Sequence, residues 1–307
     1  MTARALAWVV FAGTAAFVVV GGVVAEDEPG VGDLPAGSLN QVILFDSLRN
    51  GNTDIYRYSW GLVDEVKRVT KSPAGDFSAQ WSPDRTKLAF VSDRAGNYEV
   101  YVMNADGTGL KRLTNYASTD ENPAWSPNST RIVFSRETGT IPQYAHLFSI
   151  KVDGTDLKQI TTGQVADRYP SWAPSWTIAF SRTQSLKGMQ LCTIKADGTG
   201  FKRLTNHSGS CAWAEWSPDG QKIAYTNTDT GDPEICVVNK DGTGFQQLTN
   251  NTAVDSAPTW SPDGGQIAFT SDRVPGKWGI YVMLADGTEQ QLLVPNPILD
   301  MSPCWRH

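Results

Sequence analysis

Trp81, Trp125, Trp172, Trp216, Trp260 and Trp305 recur at spacings of 44, 47, 44, 44 and 45 residues, and most of them open a W-S-P or W-A-P turn. A period of that length is the signature of a repeat architecture, in which each unit is one supersecondary element unable to bury its own apolar surface. Six anchors imply six units.

After each anchor comes a short apolar run: Leu88-Ala89-Phe90, Ile132-Val133-Phe134, Ile178-Ala179-Phe180, Ile223-Ala224-Tyr225 and Ile267-Ala268-Phe269. Val42-Ile43-Leu44-Phe45 is a first, unanchored copy. Such runs read as buried strands. A second run follows, such as Val100-Tyr101-Val102-Met103, and five of the six units then carry Asp-Gly-Thr, beginning at Asp106, Asp153, Asp197, Asp241 and Asp286. Asp-Gly supplies the positive φ of a tight hairpin. A last strand closes on Leu-Thr or a variant, as at Leu113-Thr114 and Leu248-Thr249.

Each unit is therefore a four-stranded antiparallel meander with two apolar faces, and six in tandem bury those faces by stacking radially. The predicted fold class is all-β, a six-bladed β-propeller over residues 41–307. Abundant Gly (28), Pro (17) and Trp (11), without long tracts of helix formers, agree with it. The chain enters at the second strand of a blade and reaches a first strand only at Ser302-Pro303-Cys304-Trp305. The strand of Trp305 is thus expected innermost in the blade that holds residues 42–70, a three-plus-one closure.

The copies of Trp216-Ser217-Pro218-Asp219-Gly220, Ile-Ala-Phe, Val100 to Gly107 and Leu-Thr resemble the repeats of TolB-like propellers and, more distantly, those of tricorn and dipeptidyl-peptidase propellers. The Gly-His and Trp-Asp signature of another propeller class is absent. The resemblance covers residues 41–307 and does not reach TolB's N-terminal α/β domain. It implies the ring, and not the roles of the whole TolB protein in the Tol-Pal envelope system.

Ahead of the ring, Arg4 precedes the uncharged stretch Ala5 to Ala25, and Glu26, Asp27 and Glu28 follow. Residues 1–25 read either as a signal peptide cleaved after Ala25 or as an uncleaved N-terminal membrane anchor. A pilin-like segment normally carries an early acidic residue, which this one lacks. Residues 26–40, rich in Pro, Gly and acids, read as a flexible linker. The protein is expected to be exported to the periplasm, the cell surface or the medium, touching membrane only through that apolar segment if it is uncleaved. A net charge of −6 without a Lys/Arg run argues against a nucleic-acid partner.

Chain direction sorts the loops. The W-S-P-D-G and Asp-Gly-Thr turns share one face, where near-identity between copies reflects turn geometry. The opposite face varies and holds Asp93, Arg94, Asp272 and Arg273, so recognition of a protein or peptide partner is expected there. On that face Asp76, Asp120, Asp167, Asp255 and Asp300 each stand five residues before an anchor, and the sixth copy has Cys211. Two readings are open: each Asp caps a turn through backbone amides, or together they form an acidic channel mouth for a cation or basic group. Arg168, beside Asp167, is expected to neutralise one of these carboxylates.

His146, His207 and His307 show no metal-ligand spacing, and neither a G-x-S-x-G elbow nor a phosphate-cradling loop is present, so neither catalysis nor a cofactor is expected. The expected function is a non-catalytic protein- or ligand-binding scaffold. A self-assembling surface or filament protein is one alternative. Another is an on-ring polysaccharide lyase or hydrolase using His146 and His207 of the variable face. Asn128, Asn206 and Asn250 stand in glycosylation sequons. Cys192, Cys211, Cys236 and Cys304 fall in strand positions too far apart to bridge, because first and third strands lie about 9.6 Å apart and bridged Cα atoms within about 7 Å.

Overall fold

Six four-stranded antiparallel sheets follow one another along the chain, as the periodicity requires. The computed structural model describes residues 41–61, 64–138, 144–184 and 188–306; the expected export segment (1–25) and linker (26–40) lie outside them. Among the described residues every helix or strand is a strand. Blades 2 to 6 occupy residues 76–112, 120–159, 167–203, 211–247 and 255–292, and blade 1 holds residues 41–68. Strands are numbered here from the axis outwards.

The inner strand of blade 1 is Asp300–Trp305, which pairs with Gln41–Ser47 so that Ile43 faces Trp305, Leu44 faces Cys304 and Ser47 faces Asp300. The three-plus-one closure is thus the observed one. Trp305 is 1% exposed, lies edge-on to Trp60 at 5.1 Å, and packs in one cluster with Ala268, Ile280 and Val282 of blade 6. The same arrangement repeats between other neighbours: Ala89, Val100 and Val102 of blade 2 meet Trp125, Ile132 and Phe134 of blade 3. The core is therefore six inter-blade seams, and the second strands, covered on both faces, read as continuous apolar runs.

The turn face owes its sameness to local hydrogen bonds. Ser82 donates to Asp84 at 2.6 Å and accepts the Lys87 amide at 2.9 Å, a pattern repeated from Ser217 and Ser261. Asp106 accepts both the amide and the hydroxyl of Thr108, at 2.9 and 2.6 Å, while Gly107 takes φ +88°.

A second device shapes the axis. Every inner strand carries a bulge. Its third residue is left-handed in all six copies: Ser78, Asn122, Tyr169, Trp213, Ala257 and Ser302, with φ from +50° to +56°. These residues line the central channel. In three copies the displaced amide donates to the preceding blade: Ser78 to Asp46 at 2.9 Å, Ala257 to the Thr226 hydroxyl and Ser302 to the Thr270 hydroxyl, both at 3.1 Å.

All four cysteines are buried and unbonded, and burial pushes the thiols of Cys192 and Cys236 up to about 12 and that of Cys211 to about 11. Four thiols are expected to titrate in denaturant without reductant and to react only slowly in the folded protein; a pair released only by reductant contradicts this. Deleting Met301 to His307 removes the inner strand of blade 1 and should abolish a cooperative thermal transition. Trp305→Ala alone should cost about 3–5 kcal/mol in denaturant unfolding. An unchanged melting temperature for the deletion refutes the closure.

Candidate functional site

Five inner strands begin with an aspartate, and each of the five carboxylates is fully buried. A charge persists in such a place only when paired, and each has an arginine from its own blade. Arg49 reaches Asp300 at 2.5 Å and Arg94 reaches Asp76 at 2.7 Å. Arg136 grips Asp120 with two bonds of 2.7 and 2.6 Å, Arg182 grips Asp167 at 2.6 and 2.8 Å, and Arg273 reaches Asp255 at 2.7 Å. Every guanidinium also lies over an aromatic ring, from 4.3 Å for Arg136 on Tyr116 to 5.8 Å for Arg49 on Phe45. Burial nonetheless raises Asp120 to about 6.

Each of these carboxylates is thus paired inside its own blade and not open at the channel mouth, and among the described residues no backbone amide donates to one of them as a turn cap would require. Among the described residues, no group of three or more His, Cys, Asp or Glu is placed to hold a metal ion. Arg94 and Arg273 turn inward to the same pairs. Asp93 accepts the Gly75 amide at 2.9 Å and Asp272 the Val254 amide at 2.7 Å, so both brace the connection into their own blade. Arg168 does not serve Asp167. Successive strand residues point to opposite sides, and Arg168 bridges instead to Glu121 at 3.5 Å and Glu137 at 3.1 Å of blade 3.

Blade 5 replaces the ion pair as a unit. Cys211 and Asn227 stand where Asp and Arg stand in blades 3 and 4, with Asn227 Nδ2 3.7 Å from Cys211 Sγ. His207 covers the aromatic surface, with Nδ1 2.5 Å from Asp229, Nε2 3.1 Å from the Tyr225 hydroxyl and its ring centroid 5.0 Å from that of Phe245. His146 is buried in blade 3, and burial lowers its pKa. The two histidines have different surroundings in different blades.

What breaks the six-fold likeness of the axis is the channel wall of blades 3, 4 and 5. The channel holds about 500 Å³. At the bulge, where other copies place Ser78, Asn122, Ala257 and Ser302, blades 4 and 5 place Tyr169 and Trp213, whose rings lie 4.9 Å apart and tilted by 40°. Beside them sits the Glu121–Arg168–Glu137 cluster, in which burial raises Glu121 to about 7 against the pull of Arg168. Asn122 on the same wall has a side-chain oxygen without a hydrogen-bond partner among the described residues. Sequence reading passed over Tyr169 and Trp213. The signal that would have found them is the third column of the inner strands, where the copies disagree most in size.

A sequence profile of the TolB beta propeller domain matches residues 2–217 and 199–306. The chain belongs to the TolB β-propeller family. Among solved structures, this TolB-family propeller is similar to TolB from Acinetobacter baumannii, at 18% identity and a TM-score of 0.75, with 86% of this chain and 66% of that one covered. It is also similar to a TolB-type protein from Agrobacterium tumefaciens, at 19% identity and a TM-score of 0.67, covering 86% and 90%. An oligogalacturonate lyase from Vibrio parahaemolyticus follows at 15% identity and a TM-score of 0.58, covering 81% and 73%. At these identities the structural likenesses speak for the fold alone.

Among the described residues two buried carboxylates in this TolB-family ring, Asp46 and Glu234, depart from the paired pattern; Glu234 accepts instead from the Thr249 hydroxyl and the Asn251 amide. Asp46, 3% exposed, accepts the Ser78 amide and no ion pair, and burial raises it to about 7. A carboxyl whose pKa rises on folding stabilises the fold when protonated, and that contribution is lost as pH climbs through the raised value. Glu121 acts in the same sense. The melting temperature should therefore fall as pH rises from about 4 to about 7 and level off above that, and Asp46→Asn with Glu121→Gln should flatten the fall. An identical slope in the double variant rejects these assignments.

Proposed function

We propose that this chain is a non-catalytic binding propeller that takes a segment of a partner protein into its channel, against the wall of blades 3, 4 and 5. The observation that carries the reading is the Tyr169–Trp213 pair with the Glu121–Arg168–Glu137 cluster beside it, the part of the axis that the ring's own geometry does not require. The Asp–Arg pairs recur in five blades and serve the fold. Aromatic faces supply most of the energy in interfaces, and a channel of this volume is in the range of ligand sites. Two carboxylates to one arginine favour a segment bearing an apolar side chain next to a basic one. Membership of the TolB family supports a protein as partner. The apolar stretch Ala5 to Ala25 supports export, which N-terminal analysis of the mature protein by mass spectrometry tests directly.

Immobilised protein should capture from envelope extracts a partner that Tyr169→Ala/Trp213→Ala loses by at least about tenfold, in keeping with aromatic hot spots worth 2 kcal/mol or more. Lys202→Ala on the turn face should retain it. Equal capture by the double variant rejects the channel wall. Steady release of unsaturated product from acidic oligosaccharides rejects the non-catalytic reading.

A further inference from the structure

The turn that follows the inner strand obeys one rule in blades 2, 3, 5 and 6 and breaks it in blade 4. Elsewhere a serine donates to Asp or Asn two residues on, at 2.6–2.9 Å. The left-handed position of that turn then falls on Arg85, Ser129, Gly220 or Gly264. Blade 4 reads Ala173-Pro174-Ser175-Trp176, which removes the hydrogen-bonding hydroxyl and puts a tryptophan at φ +66°. A bulky side chain in that region is strained, and burial does not compensate. Trp176 is 43% exposed and touches Trp172 only edge-on, at 5.7 Å. A local rule broken without gain to the fold marks a position kept for something else.

Beside Trp176 lies a cleft of about 260 Å³ between blades 3 and 4, lined by Trp172, Trp176, Arg131, Lys158, Ser149 and Asp197. Arg131, Lys151 and Lys158 all converge on the single carboxylate of Asp156, at 2.6, 4.0 and 3.4 Å. The side chains of Lys151 and Lys158 are 49% and 60% exposed. Asp197 is held by the amide and hydroxyl of Thr199. The cleft thus keeps a surplus of positive charge in a chain whose net charge is −6.

We propose that this cleft binds an acidic sugar residue, its ring stacked on Trp176 and its carboxylate held by Lys158 and Arg131. One face of a pyranose presents polarised C–H bonds, which the electron-rich face of an indole attracts. The flanking cations add a charge-assisted contact, and Ser149 offers a hydroxyl to the ring's own. The concave shape admits one ring. A flat bilayer surface, which also attracts Trp and Lys, reaches protruding side chains and not a cleft floor. This site is on the turn face, opposite the variable face, and stands or falls independently of the channel wall.

The test is calorimetric titration of the full chain with short galacturonate oligosaccharides, with neutral galactose oligosaccharides of equal length and with anionic phospholipid vesicles. Galacturonate should bind and weaken with salt. Trp176→Ala should lower its affinity by at least about tenfold, and Lys222→Gln, at the start of the second strand of blade 5, should leave it unchanged. Trp176→Gly, which restores the turn residue of blades 5 and 6, should lose binding and melt no lower than wild type. Binding of galacturonate undiminished in Trp176→Ala overturns the proposal, as does equal binding of the neutral sugar, heat from the vesicles alone, or no heat at all.

Discussion

A four-stranded blade has two apolar faces, and only a second blade on each side keeps both from water. In a row of blades this demand is never met at the ends, so the row must become a ring, and its last seam must be as good as the others. Here that seam is made by Trp305, wedged between Trp60 and the second and third strands of blade 6. Once the ring is shut, its inner strands crowd the axis. The bulge relieves that crowding by turning one residue of each strand into the channel and, in three copies, lending its amide to the blade before.

Shutting the ring also takes the first residue of each inner strand out of water. An ion pair in such a place adds little net stability, but removing one partner alone costs about 3–5 kcal/mol. The Asp–Arg pair should therefore change as a unit or not at all, and blade 5 is the instance. Cys211 and Asn227 are both uncharged there, and His207 covers the rings that a guanidinium covers elsewhere. A second exchange accompanies it. Third strands that carry Tyr101 or Phe148 are followed by Leu110 or Leu157, whereas Cys192 and Cys236 are followed by Phe201 and Phe245. Phe201 comes within 6.4 Å of Phe180, filling space that the smaller Cys192 leaves, so volume is conserved although its source moves along the chain.

The architecture was legible because it repeats. Period, strand order, the two faces and the closure all follow from aligning six copies of one unit. The fate of the aspartates was not legible, because their arginines stand at different offsets: Arg136 and Arg182 lie directly opposite their partners, while Arg94 and Arg273 lie two residues further along, in the turn. No fixed spacing announces such a pair. Tyr169 and Trp213 escaped for another reason. Alternation along a strand assigns faces two by two, and a bulge resets the count at the residues that reach the channel. Arg168 was readable, since neighbours in a strand point apart, and pairing it with one of the inner-strand aspartates ignored that alternation.

Blade 1 draws its strands from both extremes of the folded chain, and this sets an order of events during synthesis. Blades 2 to 6 each become complete as soon as their own residues leave the ribosome, but blade 1 waits for Asp300 to Trp305. Until then the strand Gln41–Ser47 has a bare inner edge, and blade 6 has one face without a neighbour. The ring is thus latched only once Asp300–Trp305 can pair with Gln41–Ser47, and until then it stays open at that seam.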